Sequence, residues 1–128
     1  MTHTPIDLGV ARQIGAYSDA VATRPNLRWL FTSGTPGLSI AGDLPGDIVG
    51  QAELAWAHIL AALAEAEMGV SDIVKVTQYL THAEDIAAYA AVRAAVLGGA
   101  RPAFMLLVVP QLVRPEFRLE IEVYAAKA

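Results

Sequence analysis

The stretch RPAFMLLVVPQLVRPEFRLEIEVYA, residues 101–125, decides the fold. Its residues 103–109 form an unbroken apolar run of strand length, which predicts a strand covered on both faces. In residues 118–124 every second residue is apolar, and this period-two pattern is typical of a half-buried strand. Pro110 and Pro115 interrupt the segment between them, because proline cannot continue a strand ladder. The pattern predicts a hairpin with a long loop.

Upstream of this stretch, the sequence predicts three more strands and two helices. The predicted strands are Gly15–Val21, Arg28–Ser33 and Ile73–Leu80, and the predicted helices are residues 47–68 and 84–97. Asp47 is a suitable N-cap for the first helix and Gly69 a suitable stop. The order strand, strand, helix, strand, helix, strand, strand predicts an α+β fold with both helices on one face of a single sheet.

Amphipathic periodicity predicts which side of the first helix is buried. The apolar stripe comprises Trp56, Ile59, Leu60 and Leu63, and the opposite stripe comprises Gln51, His58 and Glu65. One sheet face is then left without a helix to cover it.

Length and composition narrow the class of protein. The 128 residues fit one domain, residues 1–128, and include no cysteine, which excludes a disulfide framework or a thiolate nucleophile. The net charge of −4 and only nine basic residues argue against nucleic acid as a partner. The apolar share of 55% exceeds that of most soluble domains, so we expect a further copy of the chain to cover part of its surface.

Neither a signal peptide nor a membrane span is evident, and a cytoplasmic location is expected.

Most of the standard chemical motifs are missing from the sequence. Its glycines form neither a Walker phosphate loop nor a dinucleotide fingerprint, so no cofactor is expected. His3, His58 and His82 share no metal-ligand spacing, so no metal is expected. No serine lies in a GxSxG elbow, so a hydrolase triad has no support.

Two carboxylates are the best chemical candidates. Glu120 and Glu122 lie on one strand face about 6 to 7 Å apart, and paired carboxylates can divide acid and base roles. The alternative is a solvated strand face on which Arg118 pairs with Glu120. Tyr17 could donate a hydrogen bond inside a pocket or could be an ordinary strand aromatic residue.

Six short segments resemble the RidA/YjgF family in their order and spacing, over nearly the whole chain. These are Gly15-x-Tyr17-Ser18-x-Ala20, Phe31–Gly34, Gln51, Asp72–Thr77, Arg101–Ala103 and Glu120–Glu122. The resemblance implies a chorismate-mutase-like subunit with a five- to six-stranded, mainly antiparallel sheet. It also implies a homotrimer with three ligand pockets at the subunit interfaces.

The resemblance further implies a chemistry, namely hydrolysis of enamines and imines to keto acids and ammonia. Glu120 would position or activate water, while Tyr17, Ser33 and Gly34 would line the pocket. In the family members that carry out this hydrolysis, an arginine directly after the RPA motif holds the substrate carboxylate. Here Phe104 occupies that position, and with Leu106 it makes this pocket wall apolar.

The missing arginine leaves three hypotheses. The first is a divergent hydrolase or deaminase that retains Glu120 but acts on a more apolar or differently charged small molecule. The second is a trimer that binds a small metabolite without turnover. The third is retained imine deamination with Arg101, Arg114 or Arg118 as the anchor. A ribonuclease role fits poorly with the acidic charge.

Overall fold

The computed structural model describes residues 3–128, in which two helices pack on one face of a sheet. The strands are β1 His3–Ile6, β2 Ala20–Thr23, β3 Arg28–Phe31, β4 Thr35–Pro36, β5 Ile73–Leu80, β6 Ala103–Val108 and β7 Leu119–Lys127. The helices are α1 Ile48–Glu65 and α2 Ile86–Leu97. No helix within residues 3–128 is long and apolar enough to cross a bilayer.

The main sheet has five strands in the order β3–β7–β5–β6, and β4 pairs with β7 beside β3. Its pairs are antiparallel except β5 with β6, which is parallel. Strands β1 and β2 form a separate antiparallel pair. The predicted chorismate-mutase-like α+β architecture, mainly antiparallel with both helices on one face, is confirmed.

The predicted hairpin of the last two strands is wrong. β5 lies between β6 and β7, and β7 pairs with the opposite edge of β5. The reason is the helix between β5 and β6, since a strand–helix–strand unit places its two strands parallel and side by side. β6 therefore forms an edge of the sheet. The prediction that this strand is covered on both faces is also wrong, because its Met105 is 49% exposed.

The ends of several elements also differ from the prediction. The first predicted strand begins later, at Ala20, where it pairs with the unpredicted β1. Helix α1 begins as predicted, with Asp47 Oδ1 accepting from Gly50 N at 2.9 Å. It does not continue to Gly69, because Glu67 adopts a left-handed φ of 59°. The amide of Met68 then reaches the carbonyl of Leu63 at 2.8 Å, which is the Schellman closure of a helix.

The core lies between the helices and the sheet. From the predicted apolar stripe of α1, Trp56, Ile59 and Leu63 are buried, whereas Leu60 is partly exposed. Alternate residues of β5 and β7 face them, and their buried members are Val76, Leu80, Leu119, Ile121 and Val123. The predicted half-buried alternation of β7 is therefore confirmed.

The sheet face away from the helices carries exposed apolar side chains. Phe31 is 66% exposed, and its ring lies 6.0 Å from that of Trp29 and 5.2 Å from that of Tyr124. Met105 and Leu107 on β6 extend this uncovered face. So much apolar surface in one place is typical of a protein interface, as the composition led us to expect.

Candidate active site in two halves

The acidic half of the site is built around Glu120, which lies on β7 and faces away from the helices. Its carboxylate lies over the backbone of Gly34, since a Cβ atom at Gly34 would be 3.6 Å from Glu120 Oε1. No hydrogen-bond donor reaches this carboxylate from within residues 3–128. Partial burial without a partner raises the pKa of Glu120 above its ordinary value, because desolvation disfavours the charged form.

Pairing with β4 fixes the backbone opposite Glu120. Pro36 is its partner in the antiparallel register, and the amide of Thr32 donates to the carbonyl of Val123 at 3.0 Å. The Thr35 hydroxyl donates to the carbonyl of Ser33 at 3.1 Å. The segment that carries Ser33 and Gly34 is thus attached to β7 on both sides, and both residues are exposed.

Gln51 ties this half of the site to α1. Its side chain is buried, and it donates to the carbonyl of Pro45 at 2.9 Å and accepts from the amide of Arg118 at 2.8 Å. Placing Gln51 on the solvent side of α1 was therefore wrong. Periodicity assigns polar residues outward, but here the amide satisfies loop backbone groups that would otherwise be buried without partners.

The aromatic half of the site is built on β6. Tyr17 and Phe104 stack with ring centroids 5.0 Å apart, and Leu106 projects from the same face of the strand. Ser18 holds Tyr17 in place, because its hydroxyl donates to the carbonyl of Arg101 and its amide to that of Pro102. All three lining side chains are half-buried.

Arg93 of α2 completes the aromatic half, and sequence analysis missed it. The guanidinium carbon lies 4.3 Å from the centroid of the Phe104 ring and 5.4 Å from that of Tyr89. Nη1 donates to Gln78 Oε1 at 2.8 Å. The available signal was that Arg93 is the only charged residue of α2, four positions after the buried Tyr89.

The two halves do not meet within one chain. β5 separates β6 from β7, which places those strands about 10 Å apart. In addition, Phe104 and Leu106 point toward the helices, whereas Glu120 points to the other face of the sheet. The structure therefore brings Glu120 together with Gly34 and Tyr17 together with Phe104, but it does not bring these two pairs together.

The arginines considered as substitutes for the missing anchor do not lie at Phe104. Arg118 pairs with Asp85, with Nη2 at 2.7 Å from the carboxylate. Arg114 lies over the Phe117 ring at 5.5 Å, and Arg101 is exposed. In the described part of the chain, Arg93 is the arginine whose guanidinium contacts the Phe104 ring.

The remaining titratable candidates have local partners. The Tyr124 hydroxyl lies 3.4 Å from Glu122 Oε1, and that carboxylate raises the pKa of Tyr124. His58 Nε2 lies 2.7 Å from the carbonyl of Leu38. Residues 3–128 contain no cluster of three or more carboxylate or imidazole side chains arranged to hold a metal.

Comparison with known proteins places this geometry in a family. The family model described as endoribonuclease L-PSP matches residues 10–127. The fold is similar to that of YyfB from Yersinia pestis, a protein of the conserved Rid family, at 24% identity and a TM-score of 0.87, covering 99% of this chain and 100% of that one. No curated protein sequence matches the chain.

Two further solved structures are similar. Rv2704 from Mycobacterium tuberculosis, a member of the YjgF/YER057c/UK114 family, is 27% identical with a TM-score of 0.69, covering 96% of this chain and 98% of that one. Escherichia coli TdcF, solved with bound serine, is 25% identical with a TM-score of 0.74, covering 100% of this chain and 96% of that one. These matches confirm the resemblance found in the sequence.

Proposed function

Since the chain belongs to the endoribonuclease L-PSP family, the RidA/YjgF proteins, we propose that it is a cytoplasmic homotrimeric hydrolase of small imines or enamines. The whole chain, residues 1–128, acts as one domain. Each pocket lies between two subunits and combines the acidic half of one with the aromatic half of the next. No cofactor or metal takes part.

The environment of Glu120 is the observation that carries this proposal. A half-buried carboxylate without a donor, lying over an exposed glycine backbone, is costly for stability and suited to proton transfer. Its raised pKa brings it toward the range in which a carboxylate can both accept and return a proton near neutrality.

The proposed reaction needs one water molecule. Glu120 removes a proton from water as the water oxygen forms a bond to the imine carbon, whose π electrons pass to nitrogen. The protonated Glu120 returns this proton to the nitrogen, which gives a neutral carbinolamine. Glu120 then removes the proton of the carbinolamine hydroxyl as the C=O bond forms and the C–N bond breaks, and passes that proton to the departing nitrogen. The products are a carbonyl compound and ammonia or an amine, and Glu120 is again a carboxylate.

The separation of the halves supports a shared pocket. The face that carries Glu120 is lined by exposed apolar side chains, among them Phe31 and Leu107, which a neighbouring subunit would cover. β6 is an edge strand that carries Phe104 and Leu106 close to the boundary of the subunit, and Tyr17 lies beside it because Ser18 bridges to Ala103. A symmetric trimer that buries both surfaces gives three equivalent sites.

Phe104 changes which substrates such a pocket accepts. A phenyl ring offers no donors to a carboxylate, so recognition cannot follow the family's usual arginine at this position. The aromatic pair of Tyr17 and Phe104 favours a substrate with an apolar or planar group.

The test is a coupled assay in which an amino-acid oxidase generates imines in situ from amino acids of differing side chains. We expect wild type to accelerate imine hydrolysis and Glu120→Gln to lose at least about 100-fold in kcat, the scale of general-base catalysis. Glu122→Gln is the matched control, because it removes a carboxylate from the same strand face two residues away. Equal rates for wild type and Glu120→Gln would refute the proposed role.

Binding without turnover is the second candidate function. It is favoured by one observation, that the similar Escherichia coli TdcF was solved with serine bound. If no imine is hydrolysed while small ligands still bind at the pocket, this function replaces the first. Cleavage of RNA has no comparable support here, because nine scattered basic residues and a net charge of −4 provide no backbone-binding groove.

A further inference from the structure

The surroundings of Arg93 are unusual for a cation. Its guanidinium is half-buried between the rings of Phe104 and Tyr89, and burial lowers the pKa of Arg93 from its ordinary value. An arginine stays protonated in proteins, so a positive charge is held in this partly desolvated place. Burial of a charge without an opposite charge is costly.

Within residues 3–128, no carboxylate lies within 4.0 Å of Arg93, and its ion-pairing capacity is unused. One of its five N–H groups is accounted for by the 2.8 Å bond to Gln78 Oε1. That oxygen already accepts from the Tyr89 hydroxyl at 2.6 Å, so Arg93 is not needed to satisfy it. The side chain is therefore held in place while most of its donors stay available.

The buried network beneath Arg93 restricts where the guanidinium can lie. Gln78 is fully buried, and its Nε2 donates to the carbonyl of Met105 on β6 at 3.0 Å. Because Tyr89 and Arg93 of α2 donate to Gln78 Oε1, Gln78 connects the strand that carries Phe104 to the helix that carries Arg93. An arginine held in a fixed orientation over an aromatic ring loses little conformational entropy when it binds an anion.

We propose that Arg93 is the anchor for the carboxylate of the ligand, and that the Tyr17–Phe104 pair beside it holds a flat apolar group of the same ligand. The predicted ligand class is a small monocarboxylate with an aromatic or branched apolar side chain. This inference rests on the proposed function only for the location of the pocket. It assigns the anchor to α2, whereas the sequence had pointed to Arg101, Arg114 or Arg118.

Calorimetric titration of the assembled protein tests the proposal without catalysis. The probe is 3-phenylpropanoate, and the comparison ligands are its neutral isostere 3-phenylpropanamide and the ring-free propanoate. We expect wild type to bind 3-phenylpropanoate most tightly of the three. Arg93→Gln should weaken its binding by about 10- to 100-fold, the range for a hydrogen-bonded charge, and leave 3-phenylpropanamide unchanged. Arg24→Gln is the matched control, since it removes the same charge from an exposed turn.

The outcomes separate this inference from the proposed function. Charge-selective binding that depends on Arg93 but accompanies no imine hydrolysis supports the anchor and overturns the hydrolase. Imine hydrolysis that depends on Glu120 but is insensitive to Arg93→Gln supports the hydrolase and overturns the anchor. Arg93→Gln could instead weaken the trimer on size-exclusion chromatography without altering the affinity for 3-phenylpropanoate. Arg93 would then pair with a neighbouring subunit, and the inference would be wrong.

Discussion

Substitution of Gly37 by alanine should disrupt the acidic half of the site through its backbone. Gly37 is buried against α1, and a Cβ atom there would lie 2.2 Å from the carbonyl oxygen of Gln51 and 2.5 Å from its Cα. Ordinary contact requires about 3.4 Å, so loop and helix must separate by roughly 1 Å. Neither atom belongs to a flexible side chain that could move aside.

The expected cost is about 2 to 3 kcal/mol in the free energy of unfolding, because overpacking that displaces backbone lies at the upper end of its range. Gly46→Ala is the matched control, since nothing lies within 4 Å of its Cβ position, and it should change stability by less than about 1 kcal/mol. Urea denaturation at equal subunit concentrations measures both. Because Gly37 directly follows β4, we also expect Gly37→Ala to lower kcat under conditions in which it is fully folded. Equal midpoints for the two variants would refute the argument for close approach.

Four further predictions rest on the same structure. Glu67→Gly should raise the free energy of unfolding by about 0.5 to 1 kcal/mol relative to Glu67→Ala in urea denaturation, because Glu67 has a left-handed φ of 59°, which glycine adopts without strain. Glu67→Ala is the matched control, since it removes the same charge but keeps the Cβ atom. Imine hydrolysis should fall with decreasing pH at a midpoint above the ordinary glutamate pKa of 4.5, because the raised pKa of Glu120 means that the base becomes protonated at a higher pH. A midpoint at or below 4.5 in the pH–rate profile would contradict this. The folded state holds the Glu120 proton more tightly than the unfolded state. The free energy of unfolding should therefore decline as the pH rises from the ordinary glutamate pKa through the raised pKa of Glu120, and denaturation of Glu120→Gln at a series of pH values should not show this decline. Tyr89→Phe removes the hydroxyl that bonds Gln78 and should cost about 1 kcal/mol by thermal or urea unfolding without loss of ligand binding, because Arg93 still satisfies that oxygen.

Local patterns were sufficient to predict most of the elements. The bounds of β5 were predicted as Ile73–Leu80 and found there, and Asp47 is the N-cap as expected. The alternation in residues 118–124 correctly identified the buried side of β7. These features depend on neighbours within a few residues, which is the range that sequence periodicity reports.

The order of strands could not be read from local patterns. Whether β7 pairs with β6 or with β5 depends on which sheet edge stays open after the β5–α2–β6 crossover, a long-range property. Gln51 was misplaced for a related reason, because the backbone amide that its side chain accepts from belongs to Arg118, in a loop distant in sequence. β1 was missed because its four residues pair only with β2 and carry no period.

The candidate site was predictable in part. The roles of Glu120, Tyr17, Ser33 and Gly34 came from a family resemblance and stay predictions. Sequence alone identified Phe104 as a departure from the family but did not identify Arg93, whose guanidinium reaches that ring from another element. A charged residue within an alanine-rich helix, one turn after a buried tyrosine, is the signal that could have revealed it.

The most direct test of the account is complementation between two inactive variants. Glu120→Gln and Arg93→Glu, each with a different affinity tag, would be co-expressed and purified through both tags so that every trimer contains both chains. In the proposed trimer, each pocket takes Glu120 from one subunit and the aromatic half from the next. A cyclic mixed trimer therefore has one intact pocket in three, and we predict about a third of wild-type imine hydrolysis although each parent is inactive. Mixed trimers that are no more active than their parents would contradict the shared pocket.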